Sequence, residues 1–293
     1  MPSEFRLSFW WVGTYSCFLT VDGGYTRSYI CDAMSMGSSA VPQSYFGEAQ
    51  LPYSLTKLVL LHLVPGVAIL VIYLALVPLA RSRGWPPFSA LLLAALFGVV
   101  PVQLGHLFLV GRKLNHRLSL VGVLGNNSKL PKWQYFAFVP LLCLIAIVIL
   151  LATGPIDGWL TRNVFAWLPS WYFFADPAVF ASYPRRILAI TFGARILIDG
   201  LMVPFVEKLY FRAYLLARLE RFGRWAPVIN GGLFTFYHFW QPQNYLTIFF
   251  GMFPMVWLTW WKKNYRLAIL THMALNLIGG LLTYSLVVGM RPV

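Results

Sequence analysis

Long apolar runs with few charged residues dominate the chain after its first fifty residues. The longer runs approach or exceed the roughly 20 residues that a helix needs to cross a bilayer. No stretch alternates apolar and polar residues with the period of two that a barrel strand requires. The pattern therefore predicts an all-α, polytopic membrane bundle of about seven to eight transmembrane helices. The runs lie near residues 55–80, 88–110, 134–153, 187–206, 226–240, 244–261 and 266–289.

The segments around these runs predict three parts of the chain. Residues 1–50 are rich in Ser, Gly and aromatic residues without a period, and we interpret them as a loosely ordered or interfacial leader. Residues 51–185 are expected to hold the first membrane helices and an interfacial segment, because Trp and Pro at 154–185 are typical of the aromatic belt. Residues 186–293 are expected to form a helical core that carries the polar groups.

Composition agrees with a membrane protein. Charged residues make up 11% of the chain, whereas a soluble domain carries roughly 25%. The net charge is +14, but no basic-aromatic repeat of an RNA-binding type accompanies it, so nucleic acid is not an expected partner. Basic residues collect instead on one predicted side of the membrane, sixteen against six, with Arg195 inside the fourth run. The more basic side is therefore predicted to be cytoplasmic.

Three of the later runs carry polar residues at membrane depth, where an ionisable group is costly and by default functional. These are Glu207, His238, and His272 with Asn276. At 1.5 Å per residue, Glu207, His238 and Asn276 lie about 20 Å from the basic edge, and His272 about 14 Å. A lone histidine or asparagine in an apolar helix is usually hydrogen-bonded packing. The shared depth nevertheless predicts one polar cavity.

This set of side chains suits hydrolysis. A carboxylate activates water as a general base, and a histidine holds that water or passes a proton to the leaving amine. A second histidine and an amide can donate hydrogen bonds to the developing oxyanion. Arg195 and Asp199, four residues apart, are interpreted as a pair that neutralises its own charge, with support of Glu207 as the alternative.

Four other polar or aromatic residues are expected to have structural roles. Gln103 and His106 are expected to bridge helices rather than to line the cavity. His62 is expected to lie at the membrane interface, and Tyr237 to contribute packing.

The polar segments resemble the motifs of the CPBP family of intramembrane endopeptidases, which includes type II CAAX prenyl proteases and bacteriocin-processing relatives. That family shows EExxxR, FxxxH and HxxxN in this order. The resemblance implies that Glu207 activates water with His238 as its partner, and that His272 and Asn276 stabilise the oxyanion. It makes 186–293 a CPBP-like catalytic core. The counterparts here are Glu207-Lys208-x-x-x-Arg212, Phe234-x-x-x-His238 and His272-x-x-x-Asn276.

One position departs from the family pattern. Lys208 stands where a second Glu would pair with the Arg four residues later. Lys208 and Arg212 are like charges, so Arg212 must find another partner or both must face water. A nearby ammonium would also make Glu207 a weaker base. The alternative is therefore a catalytically impaired scaffold or immunity-type protein on the same fold, with a small-solute or proton transporter as the second alternative.

Metal dependence is open, because the family has been described both as metalloproteases and as metal-independent glutamate proteases. Zinc would be held by Glu207, His238 and His272, but the HExxH spacing of helical zinc proteases is absent. We therefore expect metal-free activation of water and no required cofactor. The expected partners are the lipid bilayer and a peptide or protein substrate. The expected location is the cytoplasmic membrane of a prokaryote, with the site opening to the cytoplasm.

Overall fold

The computed structural model of the chain divides into two units, Met1–Gln43 and Ser44–Val293. In the first unit, strands β1 (Ser16–Leu19) and β2 (Tyr29–Asp32) pair in an antiparallel manner. Within the predicted leader, residues 1–50, the structure describes these two strands only. The loosely ordered or interfacial character of the leader stays a prediction. The structure describes residues 16–19, 29–32, 53–125, 127–173, 180 and 182–289.

Every regular element that the structure describes in the second unit is a helix. The α-helices are α1 (Leu55–Ser82), α2 (Pro87–Val99), α3 (Gly105–Asn115), α4 (Lys132–Asn163), α5 (Arg185–Leu197), α6 (Val203–Lys208), α7 (Ala226–Tyr237), α8 (Tyr245–Lys262) and α9 (Tyr265–Tyr284). Wider π-type turns continue these helices at Val100–Leu104, Ile198–Met202, Leu209–Leu215 and Ser285–Gly289. Short 3-10 segments lie at Ser170–Tyr172, Ala217–Trp225 and Pro242–Asn244.

Five helical stretches among the described residues are long and apolar enough to cross a membrane. The chain is thus an integral membrane protein with a helical bundle, as predicted, but five stretches rather than seven to eight meet both criteria. The runs at 226–240 and 244–261 form α7 and α8. With 12 residues, α7 is only about 18 Å long. The five stretches are Leu55–Ser82, Pro87–Asn115, Lys132–Asn163, Arg185–Leu215 and Tyr265–Gly289.

The start of α9 is fixed by one buried asparagine. Asn264 caps the helix, because its side-chain oxygen accepts a hydrogen bond from the backbone N–H of Leu267 at 3.0 Å. Its side-chain amide donates to the carbonyl of Ser128 at 2.7 Å and to the hydroxyl of Tyr135 at 2.8 Å. The cap therefore ties α9 to the α4 region and sets the height of the polar residues farther along α9.

A close approach of two backbones joins α1 to the end of α7. A Cβ atom placed on Gly66 would lie 2.1 Å from the carbonyl oxygen of Tyr237 and 2.9 Å from its ring carbon Cδ2. Only a residue without a side chain permits this contact. The position of Tyr237 therefore depends on the packing of α1.

The predicted depth is too large for Glu207. The helical path through α6 ends at Leu215, eight residues after Glu207, so Glu207 lies about 12 Å from that end. His272 lies about 10 Å from the start of α9, whereas His238 lies about 18 Å from the start of α7. The shorter distance for Glu207 arises because Ala217–Trp225 is a separate 3-10 segment and does not continue the span.

The close contact between Gly66 and Tyr237 can be tested by mutation. We expect Gly66→Ala to lower the stability of the folded bundle by about 1–3 kcal/mol, because the new methyl group overlaps a backbone oxygen. The matched control is Gly154→Ala in α4, where an added Cβ meets nothing within 4 Å. Thermal unfolding in detergent should show a lower midpoint for Gly66→Ala only. Equal midpoints for the two variants would contradict the contact.

Candidate active site

The four polar residues singled out from the sequence line one cavity of about 550 Å³. Glu207 comes from α6, His238 follows α7 directly, and His272 and Asn276 lie one turn apart on α9. Glu207 is 3% exposed and the two histidines are each 8% exposed. Three separate helices therefore bring a carboxylate, two imidazoles and an amide to the same space.

The carboxylate of Glu207 has three polar neighbours. The hydroxyl of Tyr237 donates a hydrogen bond to Oε1 at 3.0 Å. Lys208 Nζ lies 3.5 Å from Oε2, and His272 Nδ1 lies 3.7 Å from the same oxygen. A buried carboxylate is stable only when it is hydrogen-bonded or paired with charge. These contacts fix the carboxylate and leave His272 within reach of a shared small molecule.

His238 is oriented by the end of its own helix. Its Nδ1 lies 2.8 Å from the carbonyl oxygen of Phe234, which the last turn of α7 leaves available. An N–H donated to this carbonyl assigns the second ring nitrogen, Nε2, as an acceptor. The ring also packs against Phe234 and Trp240, with centroids 4.7 and 4.9 Å away. His238 thus presents a fixed imidazole to the cavity.

His272 and Asn276 differ in how far their polar atoms are already engaged. The buried Nδ1 of His272 has no hydrogen-bond partner. The side-chain amide of Asn276 donates to the backbone oxygen of Asp199 at 2.9 Å and lies 3.4 Å from its Oδ1. Asp199 also pairs with Arg195 at 3.3 Å, and Arg195 donates to the hydroxyl of Thr283 at 3.0 Å. Asp199 therefore links the fourth apolar run to α9, in addition to pairing with Arg195.

Lys208 and Arg212 do not face water. Both are fully buried and both contact the ring of Phe234, with Lys208 Nζ at 4.0 Å and the Arg212 guanidinium carbon at 4.5 Å from its centroid. A ring of this kind attracts cations through its quadrupole. The aromatic residue of the second motif therefore makes the like-charge pair of the first motif tolerable.

Arg212 finds the partner that its sequence neighbours do not supply. One guanidinium nitrogen, Nη1, donates to the side-chain oxygen of Asn230. The amide nitrogen of Asn230 lies 3.0 Å from both the carbonyl of Phe211 and Nε2 of His62, whose Nδ1 contacts the carbonyl of Leu58 at 2.7 Å. His62 is fully buried, so the expectation that it lies at the interface is wrong. The chain of contacts ties α1, α7 and the Leu209–Leu215 turn together.

Two bridging residues lie close to the site. Gln103 donates to the hydroxyl of Tyr237 at 3.4 Å, and His106 lies 3.0 Å from the hydroxyl of Tyr214. Both therefore bridge helices, in agreement with the expectation. Tyr237 has a larger role than packing, because it holds the carboxylate. Its position directly before His238 in the second motif was the only sequence signal for this role.

The described side chains of the candidate site are not grouped as a metal centre. Within the described ranges, no three His, Cys, Asp or Glu side chains are grouped closely enough to hold a metal ion. This includes Glu207, His238 and His272, the set that zinc would use. The ammonium of Lys208 beside the Glu207 carboxylate would also repel a divalent cation. The donor set therefore does not fit zinc.

The cavity extends away from the basic end of the bundle. From Glu207 it continues past Asp199 and Arg195 on one side, and its lining reaches Phe88 near the start of α2 and Leu282 near the end of α9. On the basic side of Glu207, the neighbouring residues Lys208 and Arg212 are fully buried. The lining thus extends toward the less basic end of the bundle, and the opening of the site to the cytoplasm stays a prediction.

Comparison with known proteins identifies part of the chain. Residues 189–278 match the family described as Type II CAAX prenyl endopeptidase Rce1-like. The matched segment contains all three motifs, and the resemblance to the CPBP family is confirmed. No curated protein and no solved structure matches the chain.

The contacts of Arg212 predict that replacing Asn230 strongly lowers the stability of the fold. Asn230→Ala removes the partner of a buried guanidinium, and we expect a loss of about 3 kcal/mol in unfolding free energy. The control is Asn163→Ala, since Asn163 is exposed and bonds only within its own helix; it should cost about 0.5 kcal/mol or less. Denaturation in detergent measures both. A loss for Asn230→Ala no larger than the control would contradict the role of this network.

Proposed function

We propose that this chain is an intramembrane endopeptidase that works by Glu-activated water, because residues 189–278 match the Type II CAAX prenyl endopeptidase Rce1-like family. The observation that carries the proposal is the convergence of Glu207, His238 and His272 on one buried cavity. A protease in the bilayer needs such a space, because water must reach a peptide bond that the lipid otherwise shields. Membrane lipid and a peptide substrate are the partners that this family implies.

In the proposed reaction, Glu207 removes a proton from a water molecule that also donates to His238 Nε2. The oxygen of that water attacks the carbonyl carbon of the peptide bond, and the carbonyl oxygen becomes negative. The proton held by Glu207 then passes to the amide nitrogen, and the C–N bond breaks to give an acid and an amine. The hydrogen bond from Tyr237 holds Glu207 in one orientation, so Tyr237 is a positioning residue.

His272 is the better candidate for the oxyanion. Its Nδ1 is buried without a partner and lies beside Glu207, so an N–H at this position could donate to the developing charge. Asn276 already gives its amide hydrogens to Asp199. We therefore assign Asn276, together with Asp199 and Arg195, to holding α9 in position, which revises the oxyanion role that the family pattern implies for Asn276.

The reaction as proposed requires no cofactor. The zinc alternative would need Glu207, His238 and His272 to converge on one ion, and their grouping does not support it. The transporter alternative is disfavoured because the intramembrane polar groups are concentrated in the last third of the chain and not in two matching halves.

Entry of the substrate from the bilayer agrees best with the direction of the cavity. Its walls between α2 and α4 are apolar, with Leu91, Leu92 and Leu150 among them. A peptide with an apolar or lipid-modified segment would be desolvated there at little cost. We propose a membrane-associated substrate, in the cytoplasmic membrane of a prokaryote.

A second candidate, an impaired protease used as a scaffold, rests on one contact. Lys208 Nζ lies 3.5 Å from the Glu207 carboxylate in a fully buried position. An ammonium at this distance stabilises the ionised form and weakens Glu207 as a base. The same fold with a weaker base would keep its binding surfaces and lose turnover.

The role of Glu207 is tested by an isosteric change. We expect Glu207→Gln to lower turnover of a farnesylated Cys-aliphatic-aliphatic-X peptide in liposomes by at least about 100-fold, because general-base catalysis contributes factors of this size. Glu220→Gln, on the partly exposed pair with Lys263, should leave turnover unchanged. Thermal unfolding checks that both variants fold. Retained cleavage by Glu207→Gln would contradict the proposed mechanism.

Variants of Lys208 distinguish an active protease from a catalytically impaired scaffold. We expect Lys208→Glu to raise kcat by about tenfold, which corresponds to about 1.4 kcal/mol in the barrier, since it removes the ammonium and restores an acid to pair with Arg212. Lys208→Met is the control that removes charge without adding an acid. An inactive natural chain that gains cleavage only as Lys208→Glu would favour the scaffold. Unchanged turnover in both variants would contradict the assigned effect of Lys208.

A further inference from the structure

A second cavity of about 410 Å³ lies between α1, α2 and α5. Leu92 contributes to the walls of both cavities, and the lining of the second contains none of the four candidate active-site residues. We call this cavity the α1–α2–α5 groove. It is lined by Leu76, Leu79, Ala80, Arg83, Trp85, Ser89, Ala90, Leu92, Leu93, Ile190, Thr191, Ala194 and Ile198.

The groove runs inward from one end of the bundle. Arg83 and Trp85 stand at that end, between α1 and α2. At 1.5 Å per residue, Leu76 lies about 10 Å and Leu93 about 12 Å farther in. On α5, Ile198 lies about 20 Å from the first residue of the helix. The polar end and the apolar interior follow the headgroup-to-chain order of a bilayer leaflet.

Four exposed arginines lie at the end of the bundle where the groove begins, and one of them, Arg83, is part of its lining. Arg81 and Arg83 end α1, and Arg185 and Arg186 begin α5 at the same end. Arg186 shares a helix face with Ile190 and Ala194, since the three are four residues apart. These four arginines lie on the less basic side of the membrane, where only six basic residues were counted. The orientation rule therefore does not account for their clustering, whereas an anionic ligand would.

A polar atom inside the groove also lacks a partner. Thr191 is 2% exposed, and its hydroxyl makes no hydrogen bond. A threonine in a helix usually bonds the carbonyl one turn earlier, so a buried free hydroxyl indicates a missing acceptor. Thr191 lies about 9 Å from the arginine end.

We propose that the α1–α2–α5 groove binds one anionic phospholipid. Arg83 and Arg186 hold the phosphate, the hydroxyl of Thr191 donates to an ester carbonyl, and an acyl chain lies along the leucines of α1 and α2. Bridging α1 to α5 in this way stabilises the wall that the groove shares with the candidate active site. The proposal requires the bundle to lie in a bilayer and does not depend on proteolysis.

The test uses the purified full chain in detergent, titrated with phosphatidylglycerol or phosphatidylcholine and followed by native mass spectrometry and thermal unfolding. We expect one tightly bound phosphatidylglycerol and a raised unfolding midpoint. Arg83→Gln and Arg186→Gln should each weaken binding by about fivefold, the effect of one cation near a lipid headgroup. Arg112→Gln, exposed on α3, should not change it.

Two further variants separate the site from general charge attraction. Thr191→Val keeps the shape and should weaken binding of phosphatidylglycerol, whereas Ala194→Trp should fill the groove and abolish it without unfolding the chain. Equal binding of both lipids, or an equal midpoint shift with inorganic phosphate alone, would overturn the proposal. Glu207→Gln should bind lipid normally, so failure of the lipid site and failure of the proteolytic function give different results.

Discussion

The burial of one carboxylate, that of Glu207, is the constraint on which the site depends. In an apolar bundle such a group stays charged only when several partners surround it. Tyr237 from α7, His272 from α9 and Lys208 from its own helix supply them. Since the partners come from three helices, small shifts in helix packing change the carboxylate before they change the fold. The close contact of Gly66 with Tyr237 is therefore part of the site, although it lies on a different helix.

The cations near the carboxylate impose a second requirement. Lys208 and Arg212 contact one ring, that of Phe234, and Arg212 is also bonded to Asn230. The second Glu, which would pair with Arg212 in the family pattern, is thus replaced by the ring of Phe234 and the side-chain amide of Asn230. Neither of these groups carries charge. Neutral partners of this kind hold a cation without competing for the carboxylate. This arrangement keeps Arg212 from pairing with Glu207, which would otherwise remove the candidate base.

The sequence predicted the helical membrane character and the convergence of Glu207 and His238, because apolar runs and intramembrane charges are local signals. It overestimated the depth of Glu207, because composition does not reveal that Ala217–Trp225 forms a separate 3-10 segment after Leu215. It also misplaced His62, whose partner Asn230 lies 168 residues away. The sequence could not predict the direction of the cavity either, since that direction depends on which helices pack together.

We expect Lys208 to act on catalysis through its charge. It is fully buried and is not among the residues that line the cavity, whereas Glu207 is, so we expect a substrate to contact Glu207 and not the ammonium. Two effects of this charge oppose each other: it weakens the carboxylate as a base, and it stabilises negative charge as the oxyanion forms. Lys208 Nζ lies 3.5 Å from Oε2 of Glu207 and His272 Nδ1 lies 3.7 Å from the same oxygen, so the ammonium is close both to the base and to the proposed oxyanion donor. A slow enzyme and an inactive scaffold on this fold would therefore share one cavity and differ in the strength of one base.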